Sequence, residues 1–145
     1  MPNILEPTIE KQLLEDITTH YLACLLWIMP GDDDNENPGD DISVHELSPD
    51  VWRVARNDCE QFCIACGPLF TDAMKRTGYG PEQWGHDFVL TRNGHGTGFW
   101  DRDALGDMGR TISDKCGWRT PWPEKNLVIG ADGAVYFDNM SLQTY

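Results

Sequence analysis

A chain of 145 residues, 40% of them hydrophobic, is long enough to fold as one domain around one core without a metal or a disulfide. Its formal net charge of −13 at pH 7 repels the phosphates of nucleic acids and lipid headgroups and attracts basic protein surfaces. The composition therefore argues against direct binding to nucleic acid or a membrane, and we expect no cofactor.

The acidity belongs to one end of the chain. Residues 1–52 contain twelve Asp or Glu and a single basic residue, Lys11, whereas residues 53–145 contain twelve acids and ten bases. The start, M-P-N-I-L-E-P, lacks the basic flank and apolar core of a signal peptide, and the longest apolar run, residues 21–29, is too short to span a bilayer. With an odd number of cysteines, five, these features predict a reduced, cytoplasmic protein.

The first predicted element is an amphipathic helix that begins at Pro7-Thr8 and ends before Pro30, because apolar residues recur at spacings of three and four. The residues that follow, 31–41, read G-D-D-D-N-E-N-P-G-D-D and predict a solvated, mobile loop. The apolar stripe of the helix consists of Ile9, Leu13, Ile17, Tyr21, Cys24, Leu25 and Ile28.

This loop opens the most acidic part of the chain, at about residues 31–50. It does not fit a calcium-binding EF-hand loop, since a loop starting at Asp34 has Gly39 at its sixth position but ends in His45 instead of Glu. It is either a solvated linker or a partner-binding surface. Its carboxylates, with no Lys or Arg among them, are Asp32, Asp33, Asp34, Glu36, Asp40, Asp41, Glu46 and Asp50.

A second helix is predicted after Ser48, because a serine cap followed by proline is a typical helix start. Its pattern reaches Gly67 and then either kinks or restarts, up to Gly78. Within it, three cysteines have the C-x3-C-x2-C spacing of the iron–sulfur motif in radical enzymes that use S-adenosylmethionine. On a helix they fall within about 60° of one another on the apolar stripe, so we interpret them as core residues. They are Cys59, Cys63 and Cys66.

After Pro81 the pattern changes. Residues 86–92 place Phe88 and Leu90 on one face of an alternating run, which predicts a strand. Residues 93–98 then form a glycine-rich turn and residues 99–100 a short returning strand. We expect at least one glycine of this turn to have a positive φ. The turn glycines are Gly94, Gly96 and Gly98.

Asp103 caps a predicted third helix that Gly117 closes. Residues 126–129 and 134–137 flank an Asp-Gly pair, which is typical of a β-hairpin. The order of elements predicts an α+β fold, with helices packed on one face of a small antiparallel sheet of three to four strands. We find no repeat and no internal boundary, so residues 1–145 are interpreted as a single domain.

The most informative segment runs from Trp84 to Arg102 and reads W-G-H-D-F-V-L-T-R-N-G-H-G-T-G-F-W-D-R. One interpretation makes it the site of a small hydrolase-like enzyme, with His95 as a general base and an arginine that binds an anion. No Ser or Cys nucleophile stands in a recognisable frame, and the glycine-rich turn precedes a strand, unlike a phosphate-binding loop. The candidate catalytic residues are His86, His95, Asp101, Arg92 and Arg102.

Two other interpretations of this segment remain. A metal site would need His86, Asp87, His95 and Asp101 to converge, but the two histidines would lie roughly 25 Å apart along a straight strand, so we predict no metal. In a structural interpretation the glycines supply positive φ, the aromatic residues fill the core, and Asp–Arg and His–Asp pairs satisfy buried polar groups. We favour a structural or recognition role.

The order G-H-D-F-x-L-T-R-N-G-H-G-x-G-F-W-D-R resembles the signature of small acidic proteins encoded by tailed phages, prophages and some plasmids. The resemblance extends more weakly to Y-L-A-C-L-L-W at 21–27, D-C-E-Q-F at 58–62 and G-A-D-G-A-V-Y at 130–136. That family has no established activity. The resemblance therefore implies a phage-type origin and a location in the host cytoplasm.

Tryptophans supply a second candidate binding feature. The loop 117–123, G-W-R-T-P-W-P, places Trp118 and Trp122 beside Arg119, a composition enriched at protein interfaces; alternatively, both indoles cap the open end of the sheet. Our first hypothesis is a phage-type accessory protein that inhibits a host nucleic-acid-binding defence machine, a restriction or CRISPR effector. It would bind a basic surface of that host protein through the phosphate-mimicking carboxylates and these two tryptophans. The alternatives are the hydrolase-like enzyme and a virion or prophage structural accessory.

Overall fold

A computed structural model of the chain describes residues 9–138. Within them the fold is α+β, as predicted, but mostly helical, with one two-stranded antiparallel sheet in place of three to four strands. Short 3-10 helices lie at Pro38–Asp41, Val44–Glu46 and Phe99–Asp101. The main elements are α1 (Lys11–Trp27), α2 (Pro49–Cys66), α3 (Pro68–Ala73), α4 (Pro81–Arg92), α5 (Asp107–Ser113), β1 (Leu127–Ile129) and β2 (Val135–Phe137).

The strand predicted at residues 86–92 is wrong, because this segment belongs to α4. The helix is buried almost all round over its last nine residues, so it has no polar face to reveal a helical period, and a short buried run cannot be distinguished from a strand. The glycine-rich turn predicted after it is confirmed, since residues 93–94 form a turn and Gly94 has the expected positive φ, of 69°. The returning strand is wrong, since residues 99–101 form a 3-10 helix. The loss of these strands reduces the sheet to one hairpin.

The core is built around the contact of α4 with α1. Gly85 makes this contact possible, because a Cβ at that position would lie 2.5 Å from the carbonyl oxygen of Ile17. Three residues further along α4, the rings of Phe88 and Phe62 stack with centroids 4.1 Å apart. Trp84 packs edge-on against Phe70 at 4.9 Å. We call residues 84–102 the signature segment. Its first half, at the end of α4, therefore forms the centre of the core.

The other predicted elements are largely confirmed. Helix α1 buries Ile17, Tyr21, Cys24 and Leu25 of the expected stripe and begins at Lys11, after the Glu10 cap; Pro7-Thr8 lies outside the described residues. The Ser48 hydroxyl caps α2 by accepting a hydrogen bond from Val51 N at 3.3 Å. At Gly67, with φ of 56°, the chain restarts as α3. The third predicted helix is shorter than expected, since α5 begins at Asp107 and not after Asp103, and ends at Ser113, before Gly117.

The C-terminal hairpin is confirmed, with β1 and β2 antiparallel and Leu127 opposite Phe137. The cysteines of α2 are buried and unbridged, which confirms that they lie in the core. Across residues 9–138, no helix combines the length and hydropathy that crossing a bilayer requires.

Candidate functional site

Asp87 is the most deeply buried charged residue of the signature. Its carboxylate lies on α4, is fully shielded from solvent, and accepts hydrogen bonds from Arg102 Nη2 at 2.7 Å and Nε at 3.0 and 3.1 Å. The Tyr79 hydroxyl donates to it at 2.8 Å and Gln83 Nε2 at 3.1 Å. Burial, together with the charge of Asp87, raises the pKa of Tyr79 and keeps the phenol as a donor. The carboxylate is thus fully occupied inside the molecule.

Arg92 forms a second polar network at the other end of α4. Its guanidinium, 3% exposed, donates from Nη1 to Asp58 Oδ2 at 3.0 Å and to the Tyr21 hydroxyl at 2.9 Å. Its Nε donates to the Pro123 carbonyl at 2.7 Å. Lys125 Nζ donates to the same Asp58 oxygen at 2.8 Å. This network fastens α1, α2 and the segment before β1 to the end of α4, and it neutralises the arginine.

Asn93 and Thr91 continue the structural role of the signature. The Asn93 side chain donates to the Lys125 carbonyl at 3.0 Å and accepts from Lys125 N at 2.8 Å, so it acts as a backbone partner for the segment that leads to β1. The Thr91 hydroxyl accepts a hydrogen bond from Phe99 N at 3.3 Å. These contacts explain why polar side chains occupy the last turn of a buried helix.

The candidate catalytic residues fall into separate places. His86 is half-buried, 6.0 Å from the His20 ring. Burial first, and then the nearby His20, lower the pKa of His86, against an opposing effect of Asp87. Asp101 is exposed and also acts electrostatically on Arg102. Arg92 lies about 9 Å from His86 along the helix axis, at 1.5 Å per residue.

His95 is exposed on the turn that follows α4, where its backbone N–H donates to the Leu90 carbonyl at 3.0 Å. The structure thus brings His86, Asp101 and Arg102 into one neighbourhood and leaves Arg92 and His95 outside it. Among the described residues, no three His, Cys, Asp or Glu side chains are placed to hold a metal ion.

The acidic segment, residues 31–50, differs from the signature because its carboxylates face solvent. The backbone beneath them is anchored, although the sequence predicted a solvated, mobile loop at residues 31–41. Gly39 is buried, and a Cβ there would lie 1.8 Å from the Leu26 carbonyl oxygen. Trp52 Nε1 donates to the Val44 carbonyl at 3.1 Å, and Leu47 is in the core. All eight carboxylates identified from the sequence are exposed.

Some of these carboxylates also organise the local backbone. Asp32 Oδ1 accepts hydrogen bonds from the N–H groups of Asp34 and Asn35 at 3.0 and 2.9 Å, which closes a tight turn. Glu46 Oε1 accepts from Ser43 N at 3.1 Å in a capping box. Among the described residues, only Asp50 of the eight lies within 4 Å of a basic nitrogen, that of Arg53 at 3.6 Å, and both side chains are well exposed.

The two tryptophans predicted at an interface differ from each other. Trp118 is 81% exposed, and the Arg119 guanidinium lies 4.3 Å from its ring centroid. Arg119 has a φ of 68°, a costly conformation for a residue with a side chain. Trp122 instead is half-buried and packs edge-on against Phe62 at 5.2 Å. Of these two tryptophans, only Trp118 is well exposed.

Sequence reasoning missed two exposed apolar side chains beside the acidic segment. Trp27, at the end of α1, is 63% exposed, and Ile129, on β1, is 45% exposed. The position of Trp27 off the apolar stripe of α1 could have indicated its exposure. The exposure of Ile129 could not be read from the sequence, because Ile129 lies on the same face of β1 as the buried Leu127, and only the fold determines how far along the strand that face is covered.

The signature and the acidic segment therefore leave different groups available. The Asp and Arg side chains of the signature are mostly paired inside the molecule, whereas the carboxylates of residues 31–50 face solvent on an anchored backbone. No protein-family model matches the chain, and no curated protein or solved structure is significantly similar to it. We therefore infer its function from its own residues.

Proposed function

We propose that the chain is a phage-type accessory protein that binds a host protein at its nucleic-acid-binding surface and thereby inhibits it. Restriction and CRISPR effector complexes are the targets that fit such an inhibitor. The observation that carries the proposal is the array of eight exposed carboxylates on the anchored segment 31–50. The resemblance of the signature to small phage-encoded proteins supports the origin.

Anchoring favours tight binding. A segment that is already fixed by Gly39, Leu47 and the Trp52–Val44 hydrogen bond loses little conformational entropy when a partner covers it. In the complex, the carboxylates occupy the positions at which the basic groove of the partner binds nucleic-acid phosphates. The field of such an array extends over a Debye length of about 8 Å at physiological salt and acts mainly by speeding association.

The contacts of the signature give less support to the enzyme hypothesis. An anion clamp needs an arginine with free donors and uncompensated charge, but Arg92 is paired with Asp58 and Arg102 with Asp87. Withdrawing Arg102 for catalysis would leave the buried Asp87 carboxylate without its basic partner, and withdrawing Arg92 would break its contacts with Asp58 and Tyr21. These arginines support a scaffold that holds the binding surface.

A competition experiment tests the proposal. Purified restriction and CRISPR effector complexes are mixed with labelled DNA, and this protein is titrated in while the DNA-bound fraction is measured by mobility shift. We expect competition with at least one complex. Neutralising four carboxylates should weaken competition about tenfold, equivalent to 1.4 kcal/mol, and reduce its salt dependence. The substitutions are Asp32→Asn, Asp33→Asn, Asp34→Asn and Glu36→Gln.

The matched control carries the same change in charge elsewhere. It neutralises four exposed carboxylates outside residues 31–50 and should compete like the unmodified protein. Equal loss in both variants would show that net charge alone matters, and an absence of competition with every complex would refute the proposal. The control substitutions are Glu82→Gln, Asp103→Asn, Asp107→Asn and Asp114→Asn.

A further inference from the structure

Strand β1 has an open edge. Among residues 9–138 it pairs only with β2, in a two-stranded sheet. Gly130 N donates to the Ala134 carbonyl at 2.8 Å, which fixes the alternation of the antiparallel ladder. Leu127 and Ile129 therefore occupy the pairs without cross-strand hydrogen bonds, and their N–H and C=O groups point away from β2. Within residues 9–138, no hydrogen bond to these outward groups is present.

This edge lacks the usual protection. Edge strands are normally blunted by lysine, proline, a bulge or a covering element, because an open edge is a template for another strand. β1 reads Leu-Val-Ile and contains none of these residues. Ile129 is also 45% exposed on it. A sheet of two three-residue strands gains stability from a third strand.

A groove runs between β1 and the start of the acidic segment. Its volume is about 440 Å³. Gly31 fixes the wall opposite β1, because its backbone packs so closely that a Cβ would lie 2.3 Å from the Glu36 carbonyl oxygen. Asp32 N donates to the Asn35 carbonyl at 2.9 Å and holds the same turn. The groove is lined by Met29, Pro30, Gly31, Asp32, Asn35, Pro38, Val128 and Ile129.

The charges beside this groove are negative. Asp32 lines it, and Asp33, Asp34 and Glu36 are exposed on the same turn. The apolar contacts come from Met29, Pro30 and Ile129. An occupant that satisfies the strand edge, the apolar lining and the carboxylates must be extended and carry both β-branched and basic side chains.

We propose that β1 accepts an extended segment of the partner, alternating Lys or Arg with β-branched residues, as a third strand of the sheet. This inference rests on the proposed function and adds to it the chemistry of the partner segment. Main-chain hydrogen bonds to Leu127 and Ile129 provide affinity, and the carboxylates of the 32–36 turn select basic side chains. The partner is thus recognised by its backbone as well as by its charge.

A peptide experiment tests the inference. The probe is a capped hexapeptide that alternates Lys and Val, titrated into 15N-labelled protein, with Kd values taken from amide chemical shifts. Its counterpart, N-methylated at every amide, keeps the side chains and charge but cannot pair as a strand. We expect the N-methylated counterpart to bind at least about tenfold more weakly than the first peptide. We also expect only the first peptide to protect the Ile129 amide from hydrogen exchange.

Two proline variants make the same comparison on the protein. Ile129→Pro removes an outward N–H without breaking the ladder to β2, and should weaken binding of the first peptide by a similar factor. Ala131→Pro is the control, and it should leave binding of the first peptide unchanged. Ala131 lies in the exposed turn that the hydrogen bond from Gly133 N to Gly130 O closes. The N-methylated peptide keeps the inference testable even where a proline variant fails to fold.

The outcomes separate the two proposals. Equal binding of both peptides, or no binding of either, overturns strand addition. If both peptides bind equally, and neutralising Asp32, Asp33, Asp34 and Glu36 abolishes their binding, the acidic binding surface is supported and strand addition is not. If only the first peptide binds and these neutralisations do not change its Kd, strand addition is supported. The acidic surface then has no part in the proposed function. The mobility-shift competition decides inhibition independently.

Discussion

Asp87 and Arg102 show how a charged pair can be part of a core. The carboxylate is fully buried and receives three close contacts from the guanidinium, while Tyr79 and Gln83 satisfy its remaining lone pairs. The planar fork of arginine matches a carboxylate in a way that lysine cannot. Once such a pair exists, removing one member is costly because the other is left charged and buried.

Replacing Arg102 with methionine should therefore lower the free energy of unfolding by about 3 kcal/mol, at the lower end of the range for broken buried pairs, since Arg102 is 28% exposed. Urea denaturation measures this loss. His95→Ala is the control, because His95 is exposed, and should change the free energy by less than about 0.5 kcal/mol. A stable Arg102→Met protein would show that the signature is not held by this pair.

At the scale of elements, the sequence correctly predicted the helices and the hairpin that amphipathic patterning or end signals specify. Helix α1, the Ser48 start of α2 and the Asp-Gly hairpin are of this kind. Helix α4 could not be recognised from its period, because its last nine residues are nearly all buried. Its end signals were present, with Pro81 in the first turn and Gly94, at φ of 69°, after the last.

The candidate site was predictable to a similar degree. The eight carboxylates could be identified from composition alone, since no Lys or Arg lies among them. Their anchoring could not, because it depends on Gly39 reaching the Leu26 backbone and on the Val44 carbonyl meeting the Trp52 indole. The open edge of β1 was also hidden, since residues 86–92 were expected to extend the sheet.

The glycines after α4 should have unequal importance. Gly98→Ala places a Cβ 2.3 Å from Thr91 Oγ1 and should destabilise the fold by about 2 kcal/mol. Gly94→Ala forces a side chain into a φ of 69° and should cost about 1 kcal/mol. Gly96 has open space around it and no positive φ, so Gly96→Ala is the matched control and should cost less. Urea denaturation of the three variants gives the order, and equal effects would contradict this assignment.

At the scale of the whole molecule, the charge distribution is in conflict with stability. A net charge of −13 favours solubility and steering but repels itself in the folded state. The conflict is concentrated in residues 31–50, where seven of the eight carboxylates lack a basic nitrogen within 4 Å among the described residues. Such a concentration is expected where selection acts on binding, because these side chains make little contribution to the core.

Neutralising Asp32, Asp33, Asp34 and Glu36 should therefore raise the Tm at low salt, although it weakens the proposed binding. The four side chains are exposed, and asparagine at position 32 retains the oxygen that closes the local turn, so the fold is preserved. The Tm of the unmodified protein should rise as salt screens the repulsion, and that of the variant should rise less. Calorimetry from about 10 to 300 mM NaCl measures both slopes, a span over which the Debye length falls from about 30 Å to below 8 Å. A variant that is less stable than the unmodified protein at every salt concentration would mean that these carboxylates hold the fold together, and the case for a binding surface would lose its physical basis.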